Sequence, residues 1–220
     1  MDFKELKIQE FICDLSSNKP SPGGGSVAAL LSALSASLNS MVYSLTINKM
    51  SFEKLDSDTK KVVLDFKEAS EKFTKKSLEF MEKDRQAFTK LMECYKMPKE
   101  TEQDKEKRDK AISEKTIMAL DVPFCLAKEA YEFYDNIDIA LKYGNKMLAS
   151  DASCAAILLH SAIESAIVNV KVNLNNCSDK NFREKIERKI EDLEFNSFSR
   201  KNIICNMAEE IFYPESAITD

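Results

Sequence analysis

The sequence predicts an all-α protein, and three observations lead to that prediction. The chain of 220 residues contains only four glycines and five prolines, so it has few places to turn and its elements are long. Apolar residues recur at intervals of three or four along most of the chain, which is the spacing of one helix face. Its hydrophobic and charged fractions, 44% and 31%, are those of a globular protein. We therefore expect a single helical domain over residues 1–220, a bundle of about six or seven helices.

The first two helices are predicted at residues 2–17 and 25–47. The first is amphipathic, with apolar residues spaced among Lys and Glu. The second has no charge anywhere between Ser21 and Asn48; one stripe of it is large and apolar, and another is small throughout. Such a helix is expected to be buried nearly all round, and its small stripe lets another helix or a symmetry mate approach closely.

Between these helices lies a glycine run, Gly23, Gly24 and Gly25, followed by Ser26. Ordering three glycines costs backbone entropy, which suggests a sharp bend or a close approach by another group. A glycine loop that begins a helix also presents free N–H groups, and the helix dipole favours an anion there. The alternative is a tight turn between helices. The run is neither a P-loop nor a Rossmann motif, because it lacks a preceding strand and the required spacing.

A long helix is predicted from Thr59 to about Tyr95, with an N-cap in Asp56–Asp58. Its inward stripe, in steps of three or four, is Phe66, Ser70, Phe73, Ser77, Phe80, Asp84, Phe88, Leu91 and Tyr95. Asp84 thus lies on an aromatic face, where burying a charge is expensive. It is either structural, held by a buried partner, or an acid or base whose pKa is shifted by its surroundings.

The rest of the chain predicts further helices at 102–119, 124–143, 147–174 and 180–211, with Pro123 as a first-turn or kink proline. The helix at 147–174 is the second one that is rich in small residues and nearly free of charge. We expect it and the helix that follows the glycine run to form the centre of the bundle.

Polar residues on the 147–174 helix are candidates for binding. Asp151 and Asn169 share a face, with Asn173 close to the second, but they are about 27 Å apart along the axis, so they cannot touch the same reacting centre. Asp151 is near the helix start, where the helix dipole stabilises its negative charge, so a structural role stays open. His160, the only histidine, lies among aliphatic residues and is interpreted as a hydrogen-bonded core or interface residue.

Composition excludes several classes of function. The net charge is −5 and lysines alternate with acidic residues, so no nucleic-acid partner is expected. The six cysteines show no C-x-x-C motif and have no partner histidines, which indicates reduced thiols in a cytoplasmic protein without a metal site. The N-terminus has no apolar signal core. The apolar run at 27–47 contains many small polar residues, which favours a buried helix over a membrane span.

An ordered set of short motifs resembles the formiminotransferase-cyclodeaminase C-terminal family. These motifs extend from about residue 8 to residue 185: Pro22–Leu30 followed by Met41-Val42 and Leu45-Thr46, Glu82–Phe88, Met97–Lys99, Gly144-Asn145 with Ser150-Asp151, and Asn169–Leu174. Each motif alone is weak, but the set in this order is specific. One departure is mild, because Met97 replaces a leucine before the proline.

The resemblance implies a helical homodimer that handles a one-carbon unit on a tetrahydrofolate substrate, without a tightly bound cofactor. It also implies that Asp84 is the catalytic carboxylate. The chain has no room for a formiminotransferase half. Two reactions stay open: the cyclodeaminase reaction, which releases ammonia, and the cyclohydrolase reaction, which opens the methenyl ring with water. An alternative of another class is a non-catalytic helical dimer that serves as an interaction module.

Within this interpretation, the remaining candidates surround the folate. Gly23–Ser26 forms a wall whose N–H groups meet the pteridine carbonyl or the glutamate carboxylates. Lys49 neutralises a carboxylate, or is simply a surface residue. Asn169 and Asn173 suit the pterin edge, or equally form hydrogen bonds between helices. Asp151 completes the predicted substrate-binding set.

Overall fold

The computed structural model describes residues 2–177 and 179–214, and every regular element within those ranges is helical. The helices are α1 (Ile8–Leu15), α2 (Gly24–Thr46), α3 (Met50–Glu53), α4 (Ser57–Tyr95), α5 (Glu102–Glu132), α6 (Tyr134–Tyr143), α7 (Ala149–Leu174) and α8 (Lys180–Phe212). Short 3-10 turns lie at Phe3–Glu5 and Lys146–Leu148. The predicted all-α class is confirmed, and all but α3 have at least eight residues.

Four helices form the bundle that positions the site. Helix α2 packs against α4 and α7, and α5 packs against the same two helices, so the four make a square. Along α2 and α4 the contacts run in opposite directions: Ser26 meets Asp84, and Asn39 meets Ser70. Helices α2 and α7 are antiparallel as well. Helix α8 covers the outer side of α7.

Small residues of α2 face its neighbours together with Val42 and Tyr43, whereas one stripe of large residues faces outward. Ala28, Ala29 and Ala36 are fully buried, whereas Leu34, Met41 and Leu45 are 46%, 38% and 44% exposed. The prediction that α2 is buried nearly all round is therefore wrong for the single chain. Small side chains allow close approach by α4 and α7, so that side is packed and the large stripe is left outside.

Helix α7 shows the same arrangement, with Ile157, Val168 and Val172 exposed by 48%, 58% and 60%. We call these three residues, with the three exposed ones of α2, the α2–α7 outer face. Both helices are also long and apolar enough to pass a length and hydropathy test for a membrane span. In the bundle, 56% and 44% of their most apolar windows are buried. Core helices of soluble proteins pass the same test.

Pro123 does not divide α5, contrary to the two separate helices predicted on either side of it. The helix continues from Glu102 to Glu132, and the break comes later, at Phe133. A proline inside a helix leaves the carbonyl four residues earlier without its partner. Here that carbonyl, on Ala119, accepts a hydrogen bond from Asn173 Nδ2 at 3.1 Å. A side chain of α7 thus replaces the missing donor and lets the helix continue.

Candidate active site

Asp84 of α4 lies against the first turn of α2. The Ser26 hydroxyl donates a hydrogen bond to Asp84 Oδ2 at 3.0 Å, and the backbone N–H of Ser26 donates to the same carboxylate. Gly23, at the N-cap position of α2, has no side chain to accept from the free N–H groups there. Asp84 therefore performs this capping from the neighbouring helix, and its negative charge lies at the positive end of the α2 dipole.

The glycine run has a physical reason in this contact. A Cβ atom at Gly25 would lie 2.8 Å from Asp84 Oδ2 and nearer still to Oδ1, so only glycine admits the carboxylate. A Cβ at Gly24 would lie 3.2 Å from Asn169 Nδ2, which is tight, while a Cβ at Gly23 would meet nothing within 4 Å. Two of the three glycines thus serve close approach by side chains from two other helices.

Burial raises the pKa of the Asp84 carboxyl above its ordinary value, and the two hydrogen bonds from Ser26 only partly oppose that rise. The side chain is nevertheless not completely buried. A carboxyl whose pKa is raised and which is not fully closed off from solvent has the properties of a general acid or base.

Arg85, which directly follows Asp84 in sequence, does not pair with it. Arg85 Nε donates to Glu82 Oε1 at 2.7 Å, and its guanidinium lies 5.6 Å from the ring centroid of Phe3. Burial tends to raise the pKa of Glu82, but the hydrogen bond and charge of Arg85 outweigh it and lower that pKa. Arg85 is thus neutralised by another acid. Sequence reasoning missed this pair, although the spacing of three between Glu82 and Arg85 signals it.

Asn169 and Asn173 both lie at this end of α7 and are half-buried. Asn169 Nδ2 donates to Ser165 O at 2.8 Å, and Asn173 Nδ2 donates to Asn169 O at 3.0 Å as well as to Ala119 O. The predicted alternative of hydrogen bonding between helices is therefore present for Asn173. Within the described residues, both amide oxygens remain available to accept a hydrogen bond from a ligand.

Lys49 and Asp151 lie at the other end of the bundle. Lys49 is exposed and follows the C-terminal end of α2, whose 23 residues extend over about 34 Å. Asp151 is in the first turn of α7, about 27 Å from Asn169 along the axis. The structure therefore joins Gly24, Gly25, Ser26, Asp84, Asn169 and Asn173 in one region, with Gly23 at its edge. Within one chain, neither Lys49 nor Asp151 reaches a ligand held at Asp84.

His160 serves a structural network away from this region, as interpreted from the sequence. Its Nδ1 lies 2.8 Å from Ser197 Oγ, which in turn lies 3.0 Å from the Tyr134 hydroxyl. Burial lowers the pKa of the His160 ring, so it is neutral at physiological pH. All six cysteines are free thiols. In residues 2–177 and 179–214, no group of three or more His, Cys, Asp or Glu side chains is arranged to hold a metal ion.

Comparison with known proteins places the chain in a family. Residues 7–192 match the family model described as formiminotransferase-cyclodeaminase. The chain belongs to this family. The resemblance found in the motifs is therefore confirmed, and the protein is an enzyme of the formiminotransferase-cyclodeaminase family.

Several members of the family resemble the chain over most of its length. A methenyltetrahydrofolate cyclohydrolase of Methylorubrum extorquens is 34% identical over 84% of this chain and 88% of its own. The formimidoyltransferase-cyclodeaminase of Mus musculus is 31% identical over 86% of this chain, which spans only 34% of the mouse protein. The crystal structure of a formiminotetrahydrofolate cyclodeaminase from Thermotoga maritima superposes with a TM-score of 0.82 at 28% identity, covering 96% of this chain and 99% of that one.

Proposed function

We propose that the protein is a tetrahydrofolate enzyme that closes a one-carbon bridge, a formimidoyltetrahydrofolate cyclodeaminase with Asp84 as general acid and base. The observation that carries the proposal is the partly buried Asp84 carboxyl, held at the start of α2 with a raised pKa. The Thermotoga maritima cyclodeaminase supports the choice of reaction, since the two chains cover each other almost completely.

In this reaction the second folate nitrogen attacks the formimino carbon, and ammonia leaves to give the methenyl bridge. The attacking nitrogen loses a proton and the departing nitrogen gains one, so a single carboxyl can accept the first proton and deliver the second. A raised pKa brings the carboxyl closer to both tasks at neutral pH. Proton transfer of this kind contributes about 10²–10⁴-fold, and orientation of the substrate contributes the rest.

The first turn of α2 positions this carboxyl. Gly25 leaves room for it, and the Ser26 hydroxyl and N–H hold one orientation of its oxygens. Asn169 and Asn173 present amide oxygens at the same end of the bundle, where they suit the N–H groups of a pterin edge. The bundle thus supplies a fixed proton carrier and acceptors for the ring that carries the reacting nitrogen.

The second candidate is a methenyltetrahydrofolate cyclohydrolase, favoured by the Methylorubrum extorquens relative at 34% identity over 88% of its length. There, water adds to the methenyl carbon and the ring opens to the 10-formyl form. Asp84 would take a proton from the attacking water by the same general-base chemistry.

One assay distinguishes the two reactions. The purified protein is given the 5-formimidoyl substrate with ammonia release as the readout, and separately the methenyl substrate with loss of its absorbance as the readout. We expect ammonia release at a rate well above that of Asp84→Asn. Turnover of the methenyl compound alone assigns the cyclohydrolase reaction. Turnover of neither, together with no folate binding, leaves the non-catalytic module as the function.

We further propose that two copies associate through the α2–α7 outer face. Six large apolar side chains are exposed on two adjacent helices that carry almost no charge, and a second copy of the chain offers a matching uncharged face. Leu34→Asp should convert the dimer to a monomer in light scattering. Leu64→Asp is the control, because Leu64 is 48% exposed on α4, outside this face. A wild-type monomer at micromolar concentration contradicts the proposal.

A further inference from the structure

The anionic end of the proposed substrate needs a cation, and Lys49 is too far from Asp84 to supply it. A folate carries the carboxylates of its glutamyl group beyond a p-aminobenzoyl ring, on the side away from the pterin. A residue that meets these carboxylates must lie within reach of a folate held at Asp84, and its assignment rests on the proposed function.

Helix α4 extends well beyond the point where α2 begins. From Asp84 its inward stripe continues through Phe88, Leu91 and Tyr95, each three or four residues after the last. Tyr95 lies eleven residues after Asp84, so this part of the stripe is about 16 Å long. Phe88 is half-buried and Tyr95 is 41% exposed. An aromatic track therefore leads from the candidate proton carrier to the end of the bundle.

Helix α5 returns along this track with a stripe of its own: Arg108, Ile112, Thr116 and Ala119, again in steps of three or four. Two contacts place this stripe. The Ala119 carbonyl accepts from Asn173 in the region of the candidate site, and the Arg108 guanidinium carbon lies 5.9 Å from the ring centroid of Tyr95. The two stripes thus face each other, with the site at one end and Arg108 at the other.

Arg108 has an unused hydrogen-bonding edge. Its side chain is only 22% exposed, and its Nε atom is buried without a hydrogen-bond partner among the described residues. The nearest acid, Asp109, lies 3.6 Å from Nη1, on the other side of the guanidinium. A buried donor without a partner is costly and rare in folded proteins. The Nε and Nη2 donors form a fork that matches the two oxygens of a carboxylate.

We propose that Arg108 binds a carboxylate of the folate glutamyl group through Nε and Nη2, with the p-aminobenzoyl ring between Phe88 and Ile112. The apolar stripe accepts the flat ring, and the unpaired fork accepts the anion. Arg108 thereby determines the affinity for the glutamyl end, while the proton chemistry remains with Asp84.

The test combines a change in the protein with a change in the ligand. Binding of folic acid and of pteroic acid, which lacks the glutamyl group, is measured by calorimetry on the wild-type protein, Arg108→Gln and Arg108→Lys. The wild-type protein should bind folic acid about 10- to 100-fold more tightly, the range for a partly desolvated charge pair. Arg108→Gln should remove that preference and leave pteroic acid binding unchanged. Arg108→Lys should keep part of it, since the charge remains and the fork is lost.

Lys107→Gln is the matched control, because it removes the same charge from an exposed position one residue earlier on α5. It should keep the wild-type preference. Equal wild-type affinities for the two ligands, no binding of either, or an unchanged preference in Arg108→Gln overturns the proposal. Turnover of the formimidoyl and methenyl substrates is recorded in parallel. Failure of both substrates counts against the proposed function, whereas normal turnover with an unchanged preference counts against Arg108 alone.

Discussion

Two of the polar clusters at which helices α2 and α4 meet differ in charge and exposure. The site cluster is Ser26 with Asp84, charged and open to solvent on one side. The neutral cluster, about 20 Å away along α2, is Asn39, Ser70 and Asn136. There Asn39 Nδ2 donates to Asn136 Oδ1 at 2.8 Å, and the Ser70 hydroxyl donates to the same oxygen at 3.0 Å.

The difference lies in how each cluster satisfies its polar groups. All three side chains of the neutral cluster are nearly inaccessible, and they form hydrogen bonds with one another and with the Phe66 carbonyl. The Tyr43 hydroxyl donates to the backbone carbonyl of Asn136. Asp84 has only the first turn of α2 as a partner, and burial keeps its pKa raised. A buried neutral network of this kind joins helices, although Asn39 Oδ1 accepts no hydrogen bond from the described residues. The partly exposed Asp84 carboxyl carries a titratable group with few partners, which retains capacity for a ligand. Substitutions in the site cluster should therefore change activity, whereas substitutions in the neutral cluster should change stability.

The largest effect is expected from Asp84→Asn. The amide oxygen of asparagine still accepts from Ser26, so the cap of α2 and the fold should persist, but the carboxyl that we propose as the proton carrier is gone. We expect kcat to fall by about 10²–10⁴-fold, with circular dichroism and the melting temperature close to wild type. Steady-state kinetics with the formimidoyl and methenyl substrates measure this. A kcat within threefold of wild type would show that Asp84 only caps a helix.

Gly25→Ala should come next, through displacement of the carboxylate. The added methyl group occupies space now taken by Asp84, so the side chain must move, and misplacement by about 1 Å can cost on the order of 10²-fold in rate. Gly23→Ala is the matched control, because its methyl group would meet nothing within 4 Å. Comparison of kcat/KM for the two folded variants tests the close approach. Equal losses would mean that glycine at 25 serves the turn alone.

Asn136→Ala should produce the opposite result, a loss of stability without a loss of chemistry. It leaves the Asn39 amide and the Ser70 hydroxyl without their shared acceptor inside the bundle. We expect the free energy of unfolding to fall by about 2–4 kcal/mol, while kcat per folded molecule stays near wild type at low temperature. Urea denaturation and active-site titration measure the two quantities. If kcat falls in proportion to that of Asp84→Asn, the clusters are not independent.

The smallest effect is expected in the pH dependence of stability. The Asp84 pKa is raised above 3.8 in the folded protein. At pH values between the pKa of the unfolded state and that of the folded state, the native state therefore binds more protons than the unfolded state. Its contribution to the free energy of unfolding is then greatest at low pH and declines as pH rises through the folded pKa. Urea denaturation of wild type and Asp84→Asn at several pH values isolates this contribution. A difference that is independent of pH would mean that the carboxyl titrates normally.

Much of the site could be predicted from local sequence because its signals are local. The step of three or four residues placed Asp84 on the inward face of α4, and the structure shows that face packed around Phe73 and Phe80. The cap at Asp56 was predicted from its residue type, and it accepts from Thr59 N at 2.9 Å. Both rest on neighbours within one turn, where helix geometry alone determines which atoms meet.

Other features depend on partners distant in sequence, and no local pattern contains them. The need for glycine at position 25 comes from a carboxylate 59 residues away, and the continuity of α5 through Pro123 comes from Asn173. The separation of Lys49 from Asp84 follows from the antiparallel arrangement of the bundle.

The sequence by itself therefore determined the helical class, most of the helices, and the inward stripe on which Asp84 lies, because 3.6-residue periodicity and capping are properties of a single helix. The tertiary structure alone decided which stripe of α2 is buried, which polar groups meet, and that the pKa of Asp84 is raised. Burial and electrostatic environment depend on the helices that pack together, and these are brought close only by folding.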